Sequence, residues 1–544
     1  NEGCKVVADV AFYNCTNLTN IVIPDSMAFI GKHAFGWCTG LTSVNFPDSV
    51  TDIGYAAFQS CRGLTSVTIP DSVTSIGDWA FNNCRGLKSV SIGKGVTSLG
   101  VCVFSRCGLT NITIPDSVTS IVGRTFEDCS ELTSVTIPGS VTFIGGEAFS
   151  RCTGLTSVTI LDGVTSINDE AFCECTGLTS VTIPDSVTSI GMRAFYNCSS
   201  LTSIVIPDSV TRMGYGSFDG CPIEKVTASA LAISSISDAV LREAIITNGD
   251  ISDKEFSGCR TLIRVVIGDG VTSIGERAFE GCTGLTSIVI PVSVDYIDYY
   301  AFSGCDRLVE VINKSKLIIN VGEEDNGYVG YYAKTVHNGE SKIVNKDGYL
   351  FITVDNVNYL IGYIGAATEL TLPENYNGEN YEINDYAFYG CISLTSVIIP
   401  DGVTGIGISA FSDCKNLENV TIGDGVTYIG YDAFFICENL KSITIGGGVD
   451  SIQHDTFRHC VNLTSIVIPD SVKDIWIRAF EKCDSLTSVY YKGTAEQWKK
   501  ISIDPDNSCL TDATRYYYSE NQPSESGNYW HYVDGEIVIW NKEN

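Results

Sequence analysis

The chain has 544 residues and a formal net charge of −30, from 34 Lys and Arg against 64 Asp and Glu. So acidic a chain is not expected to bind nucleic acid or an anionic membrane surface, because both repel it. With 18% charged and 44% hydrophobic residues it is not a disordered acidic tail. No apolar run approaches the ~18 residues that a membrane-spanning helix needs.

Cysteine spacing is the most regular feature of the sequence. Eighteen of the 22 Cys follow a Phe by three residues, and within each block these pairs recur every 23 residues, apart from one step of 22 between Cys107 and Cys129. Self-similarity at this period is typical of a solenoid, in which each repeat contacts its neighbours. The sequence therefore predicts one stacked array, where length alone suggests three or four domains at ~150 residues each.

One repeat, Leu64 to Cys84, shows how each coil is expected to form. Leu64–Ile69 alternates as a short half-buried strand, and Pro70 ends it because proline has no amide hydrogen to donate. Val73–Ile76 supplies a second apolar edge, and Gly77 allows a tight corner. Asp78–Cys84 suits one helical turn that directs Ala, Phe and Cys inward.

One Cys per coil predicts a column of buried thiols, since free Cys is among the most buried residue types. Coil-to-coil disulfides are the alternative, because a stacking distance of ~4.8 Å permits them. A metal site is disfavoured, because it needs several ligands that converge on one point. The Cys outside the spacing are Cys4, Cys102, Cys173 and Cys509, and Cys102 and Cys173 are expected to be exposed.

The repeats resemble the BspA-like leucine-rich repeat family. The phrase that carries the resemblance is I-G-E-R-A-F-E-G-C-T-G-L-T-S-I at Ile274–Ile288, and it recurs over about four-fifths of the chain. The resemblance implies a right-handed, leucine-rich-repeat-like solenoid of short strands and a bacterial cell-surface or secreted protein involved in adhesion and co-aggregation. It supplies no catalytic residue.

Departures from the spacing define the expected organisation of the chain. It comprises solenoid repeats at 1–221, an enlarged irregular coil at 222–258, repeats at 259–312, a β-rich insert at 313–387 that returns to the solenoid, repeats at 388–488 and a C-terminal cap at 489–544.

Within the irregular segments, alternating apolar residues and turn residues predict further elements. The enlarged coil contains predicted strands Ile223–Ala228 and Leu241–Thr247 and a helix within Ala230–Val240. The insert contains a predicted β-meander of Lys342–Asn345, Tyr349–Val354 and Asn358–Ile364, followed by a resuming solenoid strand at Glu369–Pro373. The cap contains a predicted helix Ala495–Ile501 and a hairpin of Tyr529–Tyr532 and Glu536–Trp540.

Tyrosine is concentrated in the insert and the cap. Ten of 26 Tyr lie between Asp306 and Gly390, and seven more follow Ser488. Tyr rings can stack on sugars or anchor a protein partner, and they can equally build the small core of an insert. The candidate ligand-binding residues are Tyr328, Tyr331, Tyr332, Tyr349 and Tyr359.

Three other surfaces offer weaker candidates. Outward Thr and Ser of the strands, such as Thr65, Ser66 and Thr68, either stabilise the sheet or present a repeating surface to a glycan. The Asp of each turn, such as Asp71, is expected to cap that turn, and a Ca²⁺ site would need six to eight oxygen ligands. Corner residues vary between coils, as at Asp78–Trp79. Such positions either tolerate substitution or recognise a ligand.

No catalytic or metal-binding motif occurs, so we expect neither an enzyme nor a cofactor. The sequence favours a monomeric, non-enzymatic recognition or adhesion protein at the cell surface or outside the cell. Its expected ligand is a host, matrix or partner-cell protein. The alternative is a glycan-binding module of a polysaccharide-utilising system, which the Tyr-rich segments suit. A hydrolase would need paired carboxylates in a deep pocket between Asn313 and Asp385.

Overall fold

The computed structural model describes residues 3–236 and 240–540, and its repeats form a β-solenoid. Each coil contains a first strand, a turn, a shorter second strand and a corner. In the coil that begins at Leu64 these are Ser66–Ile69, the Pro70 turn, Ser75–Ile76 and the corner Gly77–Cys84. Both predicted apolar edges are confirmed, because alternate strand residues face the core and are buried.

The two kinds of strand recur along the chain. First strands are Asn20–Val22, Ser43–Asn45, Ser66–Ile69, Ser89–Ile92, Ser134–Ile137, Ser157–Ile160, Ser180–Thr182, Ser203–Val205, Lys225–Ala228, Glu243–Asn248, Arg264–Gly270, Ser287–Ile290, Glu310–Asn313, Thr335–His337, Glu369–Thr371, Ser396–Ile399, Asn419–Ile422, Ser442–Thr444, Ser465–Ile468, Ser488–Tyr491 and Thr514–Tyr518. Second strands are Val6–Val7, Phe29–Ile30, Asp52–Ile53, Ser75–Ile76, Ser98–Leu99, Phe143–Ile144, Ser166–Ile167, Ser189–Ile190, Arg212–Met213, Ser273–Ile274, Tyr296–Ile297, Tyr381–Ile383, Val403–Ile406, Tyr428–Ile429, Ser451–Ile452, Asp474–Ile475 and Ser502–Ile503.

Neighbouring coils pair through parallel strands in equivalent register. Ser66, for example, lies opposite Ser43 on one side and Ser89 on the other. Each repeat position therefore forms a column of side chains spaced by one coil. The chain divides into two compact units, Asn1–Ser303 with Asn313–Ile318 and Asn326–Tyr328, and Gly304–Ile312 with Ile319–Asp325 and Val329–Asn544.

The corner is built from overlapping turns, which corrects the expectation of a helical turn. The amides of Ala80, Asn82 and Cys84 donate to carbonyls three residues back, whereas those of Trp79, Phe81 and Asn83 donate to the next coil. Trp79 and Asn83 have positive φ values of 62° and 59°, a left-handed conformation that ends any helical turn. Gly77 is needed for space, since a Cβ there would lie 2.7 Å from the Tyr55 nitrogen.

Columns of Phe and Cys fill the core at the corners. Neighbouring Phe rings stack in parallel, as with Phe411 and Phe434, whose centroids are 5.3 Å apart. Most column thiols donate to the carbonyl of a Phe in the preceding coil, as Cys437 Sγ does to Phe411 O at 3.2 Å, whereas Cys259 Sγ donates to Leu241 O. All 22 Cys are free thiols, which confirms stacked thiols over coil-to-coil disulfides.

The exposure expected for two of the remaining Cys is wrong, and a third extends the column. Cys102 and Cys173, expected to be exposed, are only 2% and 7% exposed. Cys102 lies close to the larger Arg124 and Glu127 side chains of the next corner, and burial raises its pKa to about 11. Cys509, although outside the spacing, lies beside Cys483 and so extends the column.

The enlarged coil and the insert contain the predicted strands. Lys225–Ala228 and Glu243–Asn248 continue the parallel sheet. The helix predicted within Ala230–Val240 is the single turn Ala230–Ile233. Residues 237–239 of the predicted range lie outside the described residues. The meander is confirmed as antiparallel strands Val344–Lys346, Tyr349–Val354 and Val357–Tyr363, and the resuming solenoid strand as Glu369–Thr371. The boundaries between the segments stay a prediction.

The cap contains the predicted helix and hairpin. Helix Ala495–Trp498 begins with a capping box, in which Thr494 and Gln497 each bind the other's backbone. Strands Tyr529–Val533 and Glu536–Ile539 pair antiparallel across Asp534–Gly535. The helix Ser508–Asp512 and the strand Thr514–Tyr518, which precede this hairpin, were not predicted.

Candidate recognition surface

The five predicted Tyr occupy four different environments. Tyr331 and Tyr332 lie together with ring centroids 4.8 Å apart, and Tyr331 is 41% exposed. Tyr349 contacts Tyr363 and packs on the main core of the second unit. Tyr359 lies against the meander's own small hydrophobic cluster, with the Lys334 ammonium over its ring. Tyr328 belongs to the first unit and stacks on Tyr300.

A buried carboxylate anchors the insert. Glu310 is fully buried and accepts hydrogen bonds from Ser341 Oγ and the Lys342 amide, both at 2.6 Å. His337 Nδ1 accepts from the Gly339 amide, so Nε2 carries the proton and donates to Glu310 at 3.1 Å. Because the Ser341 hydroxyl donates to the carboxylate and not to the imidazole, this cluster is not arranged to activate a serine nucleophile.

The corner backbone leaves four of its eight positions pointing outward. These are the second, third, sixth and seventh residues of each corner, which lie away from the core column of Ala, Phe and Cys, although small residues among them, such as Ser409 and Ser412, are buried by their neighbours. In the second unit, the outward residues of five corners, together with the exposed Trp476 at the first position of its corner, form what we call the corner surface. The corners are Asn384–Cys391, Gly407–Cys414, Gly430–Cys437, Gln453–Cys460 and Trp476–Cys483.

Aromatic side chains are frequent on the corner surface. Tyr431 and Trp476 are 47% and 41% exposed, which is high for such large side chains. His454 lies next to Trp476, with ring centroids 5.2 Å apart. Phe435 contacts His459 and also carries the Arg458 guanidinium over its face. Tyr, Trp and Arg are the residues most often found at the energetic centres of protein interfaces.

A charge network occupies the centre of the corner surface. Asp455 is 9% exposed and forms ion pairs with Arg478 at 3.0 Å and Arg458 at 3.5 Å. Arg458 also lies 2.6 Å from Glu481. Since neighbouring corners hold these side chains at one-coil spacing, the network fixes their positions before any partner arrives.

Asp432 lies at the edge of this network. Burial, and then the nearby Asp455 carboxylate, raise the pKa of Asp432, whereas Arg458, Arg478 and His454 lower it. Burial and the Asp455 carboxylate outweigh these neighbours, so the pKa of Asp432 is raised overall.

The insert extends the same surface. Burial and the neighbouring Asp306 raise the pKa of Tyr386 to about 12. Tyr332 hydrogen-bonds to the same Asp306 and lies within electrostatic reach of Tyr386. Tyr331 and Tyr332 are therefore the predicted residues that the structure brings near the corner surface.

Sequence reasoning noted variable corners but did not select this surface. The signal was available, because residues 23 apart share a column. Aligned in this way, Asp432, Asp455 and Arg478 fall together, as do Tyr431 and His454. Local Tyr density favours the insert instead, where several rings are used for packing.

Among the described residues the concave sites considered are open depressions on the surface. One depression of about 230 Å³ lies at the short coil, where Gly108 stands in place of two residues, and is lined by Arg85, Arg106, Asp128 and Glu131 among others. Lys88 Nζ crosses to Glu131 at 2.5 Å, which joins coils on either side of the shortened one.

Among the described residues no cluster of three or more His, Cys, Asp or Glu is placed to hold a metal ion. The same residues include no helix that is long and apolar enough to cross a membrane.

Coils of paired parallel strands with inward Leu, Phe and Cys columns define a leucine-rich repeat protein. Residues 5–133, 119–247, 249–324 and 381–504 match the BspA type leucine-rich repeat region, and the chain belongs to this family. Such proteins are often surface proteins that mediate interactions, and the repeats are typically non-enzymatic scaffolds.

Several solved structures are similar to the chain. A leucine-rich repeat protein from Bacteroides ovatus is 24% identical, with 78% of this chain and 86% of that chain covered and a TM-score of 0.40. A leucine rich cell surface protein from Faecalibacterium prausnitzii is 27% identical, with 85% and 89% covered and a TM-score of 0.29. The T. pallidum leucine-rich repeat protein is 31% identical over 27% of this chain and 70% of its own, with a TM-score of 0.26. No curated protein matches the chain.

Proposed function

We propose that this chain is a non-enzymatic recognition protein at the cell surface or outside the cell. It binds a host, matrix or partner-cell protein through the corner surface of the second unit, with Tyr331 and Tyr332 at its margin. The observation that carries the proposal is the exposure of Tyr431 and Trp476 beside a fixed charge network.

Three features of the corner surface support protein recognition. Its large rings expose apolar area beside charged groups, a composition that matches protein interfaces. Its side chains are held by a regular backbone, so little order has to be gained on binding. Proteins of this family are often surface proteins that mediate interactions.

The test is binding of the full chain to immobilised matrix proteins, host cells and partner bacteria. Tyr431→Ser and Trp476→Ser should each weaken binding about tenfold or more, since truncation at an interface centre costs about 2 kcal/mol. The matched control is Tyr55→Ser, because Tyr55 holds the corner position of Tyr431 in the first unit and is 43% exposed.

Equal losses for the control and test variants, or no loss in either, would contradict the proposed surface. Binding to isolated glycans with unchanged affinity for these variants would support the polysaccharide alternative instead. Thermal unfolding of each variant checks that the solenoid remains folded.

A further inference from the structure

One carboxylate of the corner surface has neither a paired cation nor a hydrogen-bond donor among the described residues. The Asp385 carboxylate accepts a hydrogen bond from the Ile408 amide at 2.7 Å, and Asp413 pairs with Lys415 at 3.5 Å. Asp455 pairs with two arginines. Within the described residues the Asp432 carboxylate makes neither a hydrogen bond nor an ion pair, although it is half-buried.

The environment of Asp432 favours an incoming positive charge. The next corner places Asp455 in the same column, and this second carboxylate makes ionisation of Asp432 less favourable. Asp455 Oδ1 is itself buried without a hydrogen bond, since its contact with Arg458 Nε lacks hydrogen-bond geometry. The two local arginines therefore leave part of this negative charge uncompensated.

Aromatic residues occupy positions next to Asp432 in its own corner and in the following corner. Tyr431 precedes Asp432 in the chain and is exposed, and the Asp432 amide donates to the His454 carbonyl at 3.1 Å. His454 in turn lies beside the exposed Trp476 ring. An aromatic face attracts a cation and also packs against the methylene stem of a long basic side chain.

We propose that the corner surface binds a lysine- or arginine-bearing segment of its protein partner, with the cationic head group at Asp432 and the alkyl stem against Tyr431, His454 and Trp476. This inference rests on the proposed function and names the chemistry of the partner. The net charge of −30 supports it, because a basic segment is attracted to the whole chain before it reaches the site.

The probe is a short fluorescent Gly/Ser peptide that carries Lys and Arg, with Gln-bearing and Glu-bearing counterparts. Fluorescence anisotropy with the full chain should show that the basic peptide binds and that its affinity falls as salt is added. Asp432→Asn should weaken binding about tenfold, as expected for loss of a hydrogen bond between charged groups. The matched control is Asp413→Asn, which removes a carboxylate of the neighbouring coil that already pairs with Lys415.

Several outcomes would overturn the inference. They are equal binding of the Gln peptide, no binding of the basic peptide, unchanged affinity for Asp432→Asn, or an equal loss in Asp413→Asn. Failure here is distinguishable from failure of the proposed function. If Tyr431→Ser and Trp476→Ser lose the protein partner while Asp432→Asn retains it, the surface is right and the cationic head group is wrong.

Discussion

A cysteine thiol in this solenoid combines a small volume with a hydrogen-bond donor. Cys437 Sγ lies at 3.2 Å from Phe411 O, and that carbonyl also accepts the Cys414 amide. Ala would leave a gap and remove the second donor, whereas Ser would place a more polar group in an apolar column. Cys therefore fits a site where the core meets the backbone of the preceding coil.

The buried thiols should be unreactive while the chain is folded. Burial raises the pKa of Cys437 and of its neighbours in the column, and the thiolate is the reactive form. A thiol reagent at neutral pH should label the exposed Cys4 and Cys15 quickly, the half-buried Cys391 and Cys509 slowly, and the other 18 only on unfolding. Mass spectrometry of the labelled peptides measures this, and fast labelling of Cys437 in the native chain would disprove it.

Asp432 should make the chain less stable as its carboxyl ionises. Its folded-state pKa is raised, so the folded chain holds the proton more tightly than the unfolded chain does, and stability is lost as pH rises through this range. Asp432→Asn should therefore melt at a higher temperature than the parent at pH ~7, and the difference should vanish at pH ~3, where Asp is protonated in both states. Scanning calorimetry measures the shift. A variant that melts below the parent at neutral pH would reverse the sign.

At the scale of the element, the corner depends on left-handed residues. Lys254 is exposed, has a φ of 59° and occupies the same corner position as Trp79. A β-branched side chain is poorly tolerated in this conformation, whereas Asn adopts it readily. The identity of the exposed side chain therefore affects stability through the backbone alone.

Replacing Lys254 tests this dependence. Lys254→Val should lower the free energy of unfolding by about 1–2 kcal/mol, and Lys254→Asn should leave it nearly unchanged. Urea denaturation of both variants gives the comparison. Equal stability of the two would show that the corner relaxes to accept either residue.

The strands could be predicted from sequence, and the corners could not. Alternation in Leu64–Ile69 indicates a strand wherever it lies, because burial of one face is a local pattern. The spacing of Phe81 and Cys84 equally suits a helical turn, and only hydrogen bonds from Trp79 and Phe81 to the next coil decide against it. Those bonds join residues 22 apart, so no local window contains them.

The candidate surface was predictable only in part. Columns follow from the 23-residue period, so the proximity of Asp455 and Arg478 could be derived. Side-chain conformations, which the sequence does not specify, decide which carboxylates Arg458 pairs with. They also leave Asp432 without an ion-pair partner among the described residues.

At the scale of the whole molecule, charge opposes folding. Sixty-four acidic residues against 34 basic ones repel one another in the compact state, and salt screens this repulsion. Raising NaCl from ~10 mM to ~0.5 M should therefore raise the melting temperature by a few degrees, with ionic screening as the cause. NaCl is preferred to sulfate, which also stabilises proteins by exclusion from their surface. A melting temperature that falls with NaCl would show that surface ion pairs outweigh the net repulsion.

The alternating amide pattern of the corner leaves the exposed second position without any role in the chain path. Since every amide from Trp79 to Cys84 donates to a main-chain carbonyl, no outward side chain is needed to hold the chain path. Randomised libraries at the second positions of the Gly54 and Gly430 corners, which hold the exposed Tyr55 and Tyr431, should accordingly fold as well as the parent. The coils then offer a scaffold for directed evolution, in which new binders are selected on a framework that stays constant.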